Sequence, residues 1–220
     1  MNIAIIGSNR GIGLELVKQY VQAGHNVYAF CRRSSADLEQ VKPKKIITGF
    51  DVQEFTSAKH ALNTIKDIHF DQVIHVSGIL KGDRLETLDE TGLLKQFHVN
   101  AIGPILSFKS FLPFMNKGTK FSILSSRVGS IADNSSGNNY GYRMSKAAVN
   151  MAAKNLSIDA KDKEITVLIL HPGYVKTDMT QHTGNISATE SAQQLIKLIE
   201  EKSFADTGTF WHANGEALPW

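Results

Sequence analysis

Short, nearly continuous apolar runs alternate along the chain with longer stretches of helical period. The runs are Ile3 to Ile6, Val27 to Phe30, Lys45 to Thr48, Gln72 to Val76, Phe121 to Leu124 and Thr166 to Leu170. Without an alternating polar face, they read as parallel strands covered on both sides. The first stretch between them sets Ile12, Leu16, Tyr20 and Ala23 along one helix face, and Gly24 follows as a stop. Further helices are expected over Gln53 to Asp67, Leu85 to Met115, Tyr140 to Asp159 and Ser187 to Glu201, with Gly103-Pro104 bending or splitting the third. This alternation, with right-handed crossovers, predicts an α/β fold: a single doubly wound parallel sheet with helices on both faces. The most polar loop, Asp133 to Asn139, is too short to separate domains, so residues 1–220 are expected to form one.

Composition narrows the function classes. Twenty-four basic against 21 acidic residues leave a net charge of +3, too mild and too scattered to point to nucleic acid or an anionic membrane. The single cysteine, Cys31, excludes an internal disulfide and suits a reducing compartment. No apolar run approaches the ~18 residues of a membrane span, and MNIAIIGSNRG is unlike a signal-peptide core. A cytoplasmic protein is expected.

Chemistry first shows in GSNRGIG, Gly7 to Gly13, between the first strand and the first helix. Glycines there let the backbone approach a phosphate, and the helix N-terminus offers amides and a positive dipole end. Gly7, Ser8, Asn9, Arg10, Gly11, Ile12 and Gly13 are therefore candidate dinucleotide-binding residues, in the spacing G-x-x-x-G-x-G. An NAD site wants an acid at the end of the second strand. Here that strand ends in Arg32-Arg33, and the only acid between Gly7 and Ser34 is Glu15, inside the helix. Guanidinium groups suit a 2′-phosphate, so NADP(H) is the preferred cofactor, through Arg32 assisted by Arg10, with NAD(H) the second choice.

The stretch NNYGYRMSKAAVN offers two tyrosines and one lysine. Tyr142 lies four residues before Lys146 and shares its helix face; Tyr140, six before, is turned away by about 240°. A phenol with a pKa of about 10 needs a neighbouring cation to act near neutrality. Lys146 is expected to lower Tyr142 for that reason. Ser125 and Ser126 stand at the C-terminal end of the preceding strand, where a hydroxyl could polarise a substrate carbonyl.

Gly7-x-x-x-Gly11-Ile12-Gly13, Asp51-Val52, Asn100 in HVNAIGP, Ser126 in SSRVGS, Tyr142-x-x-x-Lys146 and Pro172-Gly173 with Thr177 occur in order. Jointly they resemble the short-chain dehydrogenase/reductase family, with its Rossmann fold, across essentially the whole chain. The ending GTFWHANGEALPW, with SSRVGSIADN and YGYRMSKAA, resembles more narrowly its C-factor-like and sniffer-like carbonyl reductase branch. The resemblance implies Tyr142 as general acid/base, Lys146 lowering its pKa and holding the nicotinamide ribose, and Ser126 orienting the carbonyl. It implies Asn100 positioning a water on the proton path. Asp51 and Val52 would border the adenine. Ser77 and Gly78 would lie along the cofactor, Pro172, Gly173 and Val175 beside the nicotinamide, and Thr177 at its carboxamide. The implied reaction is NADPH-dependent reduction of a small ketone, aldehyde or quinone-like carbonyl, or oxidation of the matching alcohol, by a homodimer or homotetramer.

Three departures stand out. The family's N-N-A-G appears as His75-Val76-Ser77-Gly78, without either asparagine. The interval from Ser126 to Tyr142 is longer than usual, which leaves Ser125 open as the polarising hydroxyl. The segment from Thr177 to Ser187 is short, and an open pocket is expected. His75, His98 and His171 lack metal-site spacing and read as structural, so no metal is expected. Cys31 reads as a small buried hydrophobe, and Trp211 and Trp220 as packing for the C-terminal segment or a subunit contact. The alternative to an enzyme is a cofactor-binding regulatory protein of the C-factor type with little turnover. A nucleotide-sugar epimerase or dehydratase is disfavoured by the glycine spacing.

Overall fold

All six expected strands are present, and a seventh joins them. The computed structural model of the chain describes residues 1–65 and 67–220. The strands are β1 (Asn2–Ile6), β2 (Asn26–Phe30), β3 (Lys45–Ile47), β4 (Phe70–His75), β5 (Met115–Leu124) and β6 (Thr166–His171). A short pair, β7 (Val175–Lys176) and β8 (Ile186–Ser187), forms its own parallel sheet, and β9 (Thr209–His212) closes the edge of the main one. The main order is β3-β2-β1-β4-β5-β6-β9, all parallel.

Successive strand residues feed opposite cores, as a pleat requires. Val73, Phe121, Ile123, Val167 and Ile169 pack with α3 (Phe55–Leu62), α5 (Gly103–Phe111) and α6 (Tyr140–Asp159). Ile3, Ile5, Leu168 and Leu170 pack with Leu14, Val17 and Tyr20 of α1 (Gly11–Gln22) and with Leu195 and Ile199 of α7 (Ala188–Glu201). This is the doubly wound arrangement, and no helix among the described residues is long and apolar enough to cross a membrane.

Several boundaries differ from expectation, among them β5, which begins at Met115 rather than Phe121. The helix expected over Gln53 to Asp67 is limited to Phe55–Leu62; Asp67 has φ 55°, outside any helix, and Lys66 lies outside the described residues. A six-residue helix, α2 (Ala36–Val41), is additional; Leu38 alone is buried on it, too little to give a readable period. The helix expected over Leu85 to Met115 is a series: a 3-10 turn Leu85–Thr87, α4 (Glu90–Phe97), a π-helical segment His98–Ile102, and α5. The break thus precedes Gly103-Pro104. It widens the helix where Asn100 turns into the protein, and π-bulges of this kind recur at functional sites.

Candidate active site

The strand order reverses between β1 and β4, and a crevice at such a reversal binds ligands beyond the strand ends. A cleft of about 630 Å³ opens there, with Gly11, Arg32, Asp51, Tyr142, Lys146 and Thr177 on its walls.

Its floor is the glycine loop, and two of the glycines are sterically required. Gly7 has φ +88°, and a Cβ there would stand 2.6 Å from Ser77 Oγ. A Cβ on Gly13 would lie 2.0 Å from the Gly7 carbonyl oxygen. The backbone therefore closes on itself and leaves the first turn of α1 facing the cleft at Gly11 and Ile12. Arg10, at the helix N-cap, makes no side-chain cap. This cradle fits a dinucleotide pyrophosphate. Ser8 does not contribute a side chain: it is fully buried, with its hydroxyl donated to the Phe30 carbonyl at 3.1 Å. Asn9 faces the cleft while its amide donates to the Arg33 carbonyl at 3.2 Å.

The two arginines differ. Arg32 is 68% exposed at the cleft rim, with Nη1 4.0 Å from Asp51 Oδ2, a loose contact in water. Arg10 instead reaches Asp178 across the cleft at 3.3 Å, and His182 Nε2 meets the other oxygen of that carboxylate at 3.2 Å. Asp51 also accepts from the Gln53 amide at 3.0 Å, and Val52 and Ser77 line the cleft beside it.

Tyr142 and Lys146 point into the same cleft from the first two turns of α6. The ammonium lies 5.6 Å from the phenol ring centroid, over its face, and donates to the Leu124 carbonyl at 2.9 Å. Burial lowers Lys146 to about 8. The expected lowering of Tyr142 is not what the structure gives: burial pushes the phenol up to about 12, and the neighbouring Ser126 hydroxyl opposes this only in part. The ammonium is aimed at a backbone carbonyl and the ring face, so desolvation of the phenolate dominates. Tyr140, 37% exposed, does not line the cleft.

The two adjacent serines differ in their partners. Ser125 Oγ donates to Asn150 Oδ1 of α6 at 2.5 Å, and Ser125 also lines the cleft. Ser126 caps the turn Arg127–Gly129 at 3.4 Å and is the hydroxyl beside the phenol. Asn100 spends both amide protons inside the protein, on the Ile79 carbonyl (2.9 Å) and Ser145 Oγ (3.0 Å), while Oδ1 accepts from the Ile79 amide at 2.8 Å. A Cβ on Gly78 would stand 3.3 Å from Asn100 Oδ1 and 3.7 Å from Lys146 Nζ, so this glycine keeps the space between them.

Pro172 and Thr177 line the cleft. Gly173 and Val175 support them from behind: a Gly173 Cβ would meet Ile186 Cδ1 at 2.9 Å, and Val175 is buried in β7. The short segment from Thr177 to Ser187 contributes to the cleft walls. Pairing of β7 with β8 closes its base, and Lys176, Asp178, Met179 and His182, which sequence reasoning missed, join the walls. Their proximity to Thr177 in the chain was the available signal. Cys31 is buried at the end of β2 as expected, yet also borders the cleft.

His75, in place of an asparagine, is fully buried with neither ring nitrogen hydrogen-bonded, and burial lowers it to about 3. It remains neutral and does not replace the missing bond. No group of three or more His, Cys, Asp or Glu side chains forms a metal site among the described residues.

The family model for short chain dehydrogenases matches residues 1–187. A 1-hydroxy-2-glutathionyl-2-methyl-3-butene dehydrogenase of Rhodococcus sp. (strain AD45) is 34% identical over 99% of both chains. The C-signal protein of Myxococcus xanthus is 33% identical over 62% of this chain and 83% of its own. An NADPH-bound carbonyl reductase from chicken fatty liver has the same fold, with a TM-score of 0.90 at 26% identity, covering 100% of this chain and 98% of that one. Sequence, fold and cleft agree: the chain belongs to the short-chain dehydrogenase/reductase family, among its C-factor-like and carbonyl reductase members, and is an NAD(P)-dependent oxidoreductase.

Proposed function

We propose that the chain reduces a small carbonyl substrate with NADPH, with Tyr142 as the proton donor. The observation that carries this reading is the pairing of the Tyr142 phenol and the Lys146 ammonium on the cleft wall, with Ser126 beside the phenol. When bound, the cofactor supplies a hydride to the carbonyl carbon. The protein supplies the rest. Ser126 donates to the carbonyl oxygen and orients it, and Tyr142 delivers the proton that completes the alcohol. A phenol held up at about 12 keeps its proton at neutral pH, as an acid for reduction must. The Rhodococcus relative is named a dehydrogenase; in that direction Tyr142 would have to act as a phenolate, which burial opposes. Lys146 would hold the nicotinamide ribose, and it places a positive charge over the phenol ring as the proton leaves.

Cofactor choice follows from the rim. Arg32 is only loosely held by Asp51, and with no acid at the end of β2 it is free to meet a 2′-phosphate. Arg10, engaged with Asp178, assists from the other wall. The test compares oxidation of NADPH and NADH over a panel of small ketones, aldehydes and quinones. Wild type is expected to favour NADPH, and Arg32→Asp to lower the NADPH-to-NADH ratio of kcat/KM on the order of 10- to 100-fold. An unchanged ratio would refute the assignment of Arg32. Tight NADPH binding without turnover on any member of the panel would refute the reductase.

A further inference from the structure

The helix that carries Tyr142 does not cap itself. Asn139 stands where an asparagine side chain ordinarily accepts from the first-turn amides. Its backbone is left-handed, at φ 51° and ψ 45°, and its side chain makes no such bond. The cap comes instead from Asp83, in the loop after β4. Asp83 Oδ1 accepts from the Tyr140 amide at 2.5 Å and Oδ2 from the Gly141 amide at 3.1 Å. The Asp83 carbonyl accepts from the Asn139 amide at 2.9 Å. Gly141 makes room for this approach, since a Cβ there would stand 3.2 Å from Asp83 Oδ2 and 2.4 Å from Gln96 Nε2.

The other end of the same loop is tied down as firmly. Asn100 grips both the amide and the carbonyl of Ile79, and Gln96 Oε1 accepts from the Lys81 amide at 2.9 Å. Lys81 Nζ reaches Asp89 at 2.7 Å, at the start of α4. Residues 79–83 therefore strap the π-helical segment to the first turn of α6, and Ile79 also borders the cleft. A carboxylate that accepts from two successive amides fixes the rotation of a helix end as well as its position, and the helix dipole favours its charge there. Tyr142 is the residue immediately after that clamp.

We propose that Asp83 is a positioning residue for Tyr142: by clamping the first turn of α6 from outside the helix, it sets the distance and direction from which the phenol meets the carbonyl oxygen. This rests on the reading of Tyr142 as proton donor. A cap that merely stabilised the helix would change melting temperature and leave kcat per folded molecule as it was.

The test places Asp83→Ala and Asp83→Asn beside Tyr142→Phe. For each, kcat and KM are measured at saturating NADPH on a carbonyl compound that wild type reduces, with active sites counted by NADPH fluorescence titration. Asp83→Ala is expected to lower kcat per NADPH-binding site about 10- to 100-fold, with the Kd for NADPH within about two-fold of wild type. Asp83→Asn, which keeps one acceptor oxygen, is expected to fall only about 3- to 10-fold. If Asp83→Ala keeps wild-type kcat per site while Tyr142→Phe is inactive, the positioning role is wrong and the proton-donor reading stands. If Tyr142→Phe turns over like wild type, the proton-donor reading fails and takes the Asp83 role with it. Should the alanine variant not fold, Asp83→Asn decides alone, and wild-type kcat in that variant overturns the proposal.

Discussion

Lys146 is buried, and its ammonium donates to the Leu124 carbonyl. An ordinary lysine pKa of 10.5 becomes about 8, with desolvation as the cause. Between those two values the unfolded chain binds more protons than the folded one, so stability rises with pH across that window. Below about pH 8 the buried charge is a cost of about 3 kcal/mol. Lys146→Met should therefore raise folding stability at pH 7 by about 1–3 kcal/mol, less than the full cost because the Leu124 carbonyl loses its donor. The gain should shrink as pH rises from about 8 toward 10.5, while reductase activity is lost at every pH. Urea unfolding of both proteins at several pH values measures this; a gain independent of pH would show that the ammonium is not the source. The sequence made part of this legible. Four-residue spacing separated Tyr142 from Tyr140, because a helix face is a local property. The phenol's high pKa was not legible, because it depends on how completely the surrounding strands and loops exclude water. Nor was the bond from Ser125 to Asn150, 25 residues on, visible in the sequence.

At the level of elements, the glycine loop works by leaving no room. Gly13→Ala would drive a Cβ into the Gly7 carbonyl, so strand end and helix start would have to separate. The expected cost is about 3 kcal/mol or more, seen as a fall of about 5–10 °C in Tm together with loss of NADPH binding. Thermal melts with and without NADPH check this, and an unchanged melt in both would contradict the steric account. The strands were legible because burial on both faces removes the polar half of the pattern, as in Ile3 to Ile6 and Thr166 to Leu170. β9 was not, since its TFWH is short and three of its four residues are only half-buried. The split in the third helix was expected at Gly103-Pro104, whereas the π-helical turn lies at His98–Ile102, a segment with no glycine or proline to mark it. Asp83 left no trace in the pattern at all: its helix lies 57 residues away in the chain.

For the whole molecule, α4 and α6 carry an apolar outer surface. Leu94 and Phe97 on α4 are exposed, and Met144, Met151 and Ile158 recur at seven-residue intervals along α6. Such a stripe on an isolated helix face is the feature that subunit association covers. We propose that two copies pair through these helices, in keeping with the homo-oligomer expected from the family resemblance. Light scattering should return about twice the 24.2 kDa chain mass or a multiple of it, and Met151→Lys should shift the population toward the single chain. A wild-type mass equal to one chain would contradict the pairing.

The central claim is that the hydroxyl at position 142 delivers the proton during carbonyl reduction. Single-turnover oxidation of bound NADPH by a carbonyl substrate, in wild type and Tyr142→Phe, tests it most directly. The account predicts a rate lower by about 10²- to 10⁴-fold in the variant, with NADPH affinity within about two-fold. A variant that oxidises NADPH at the wild-type rate would contradict it.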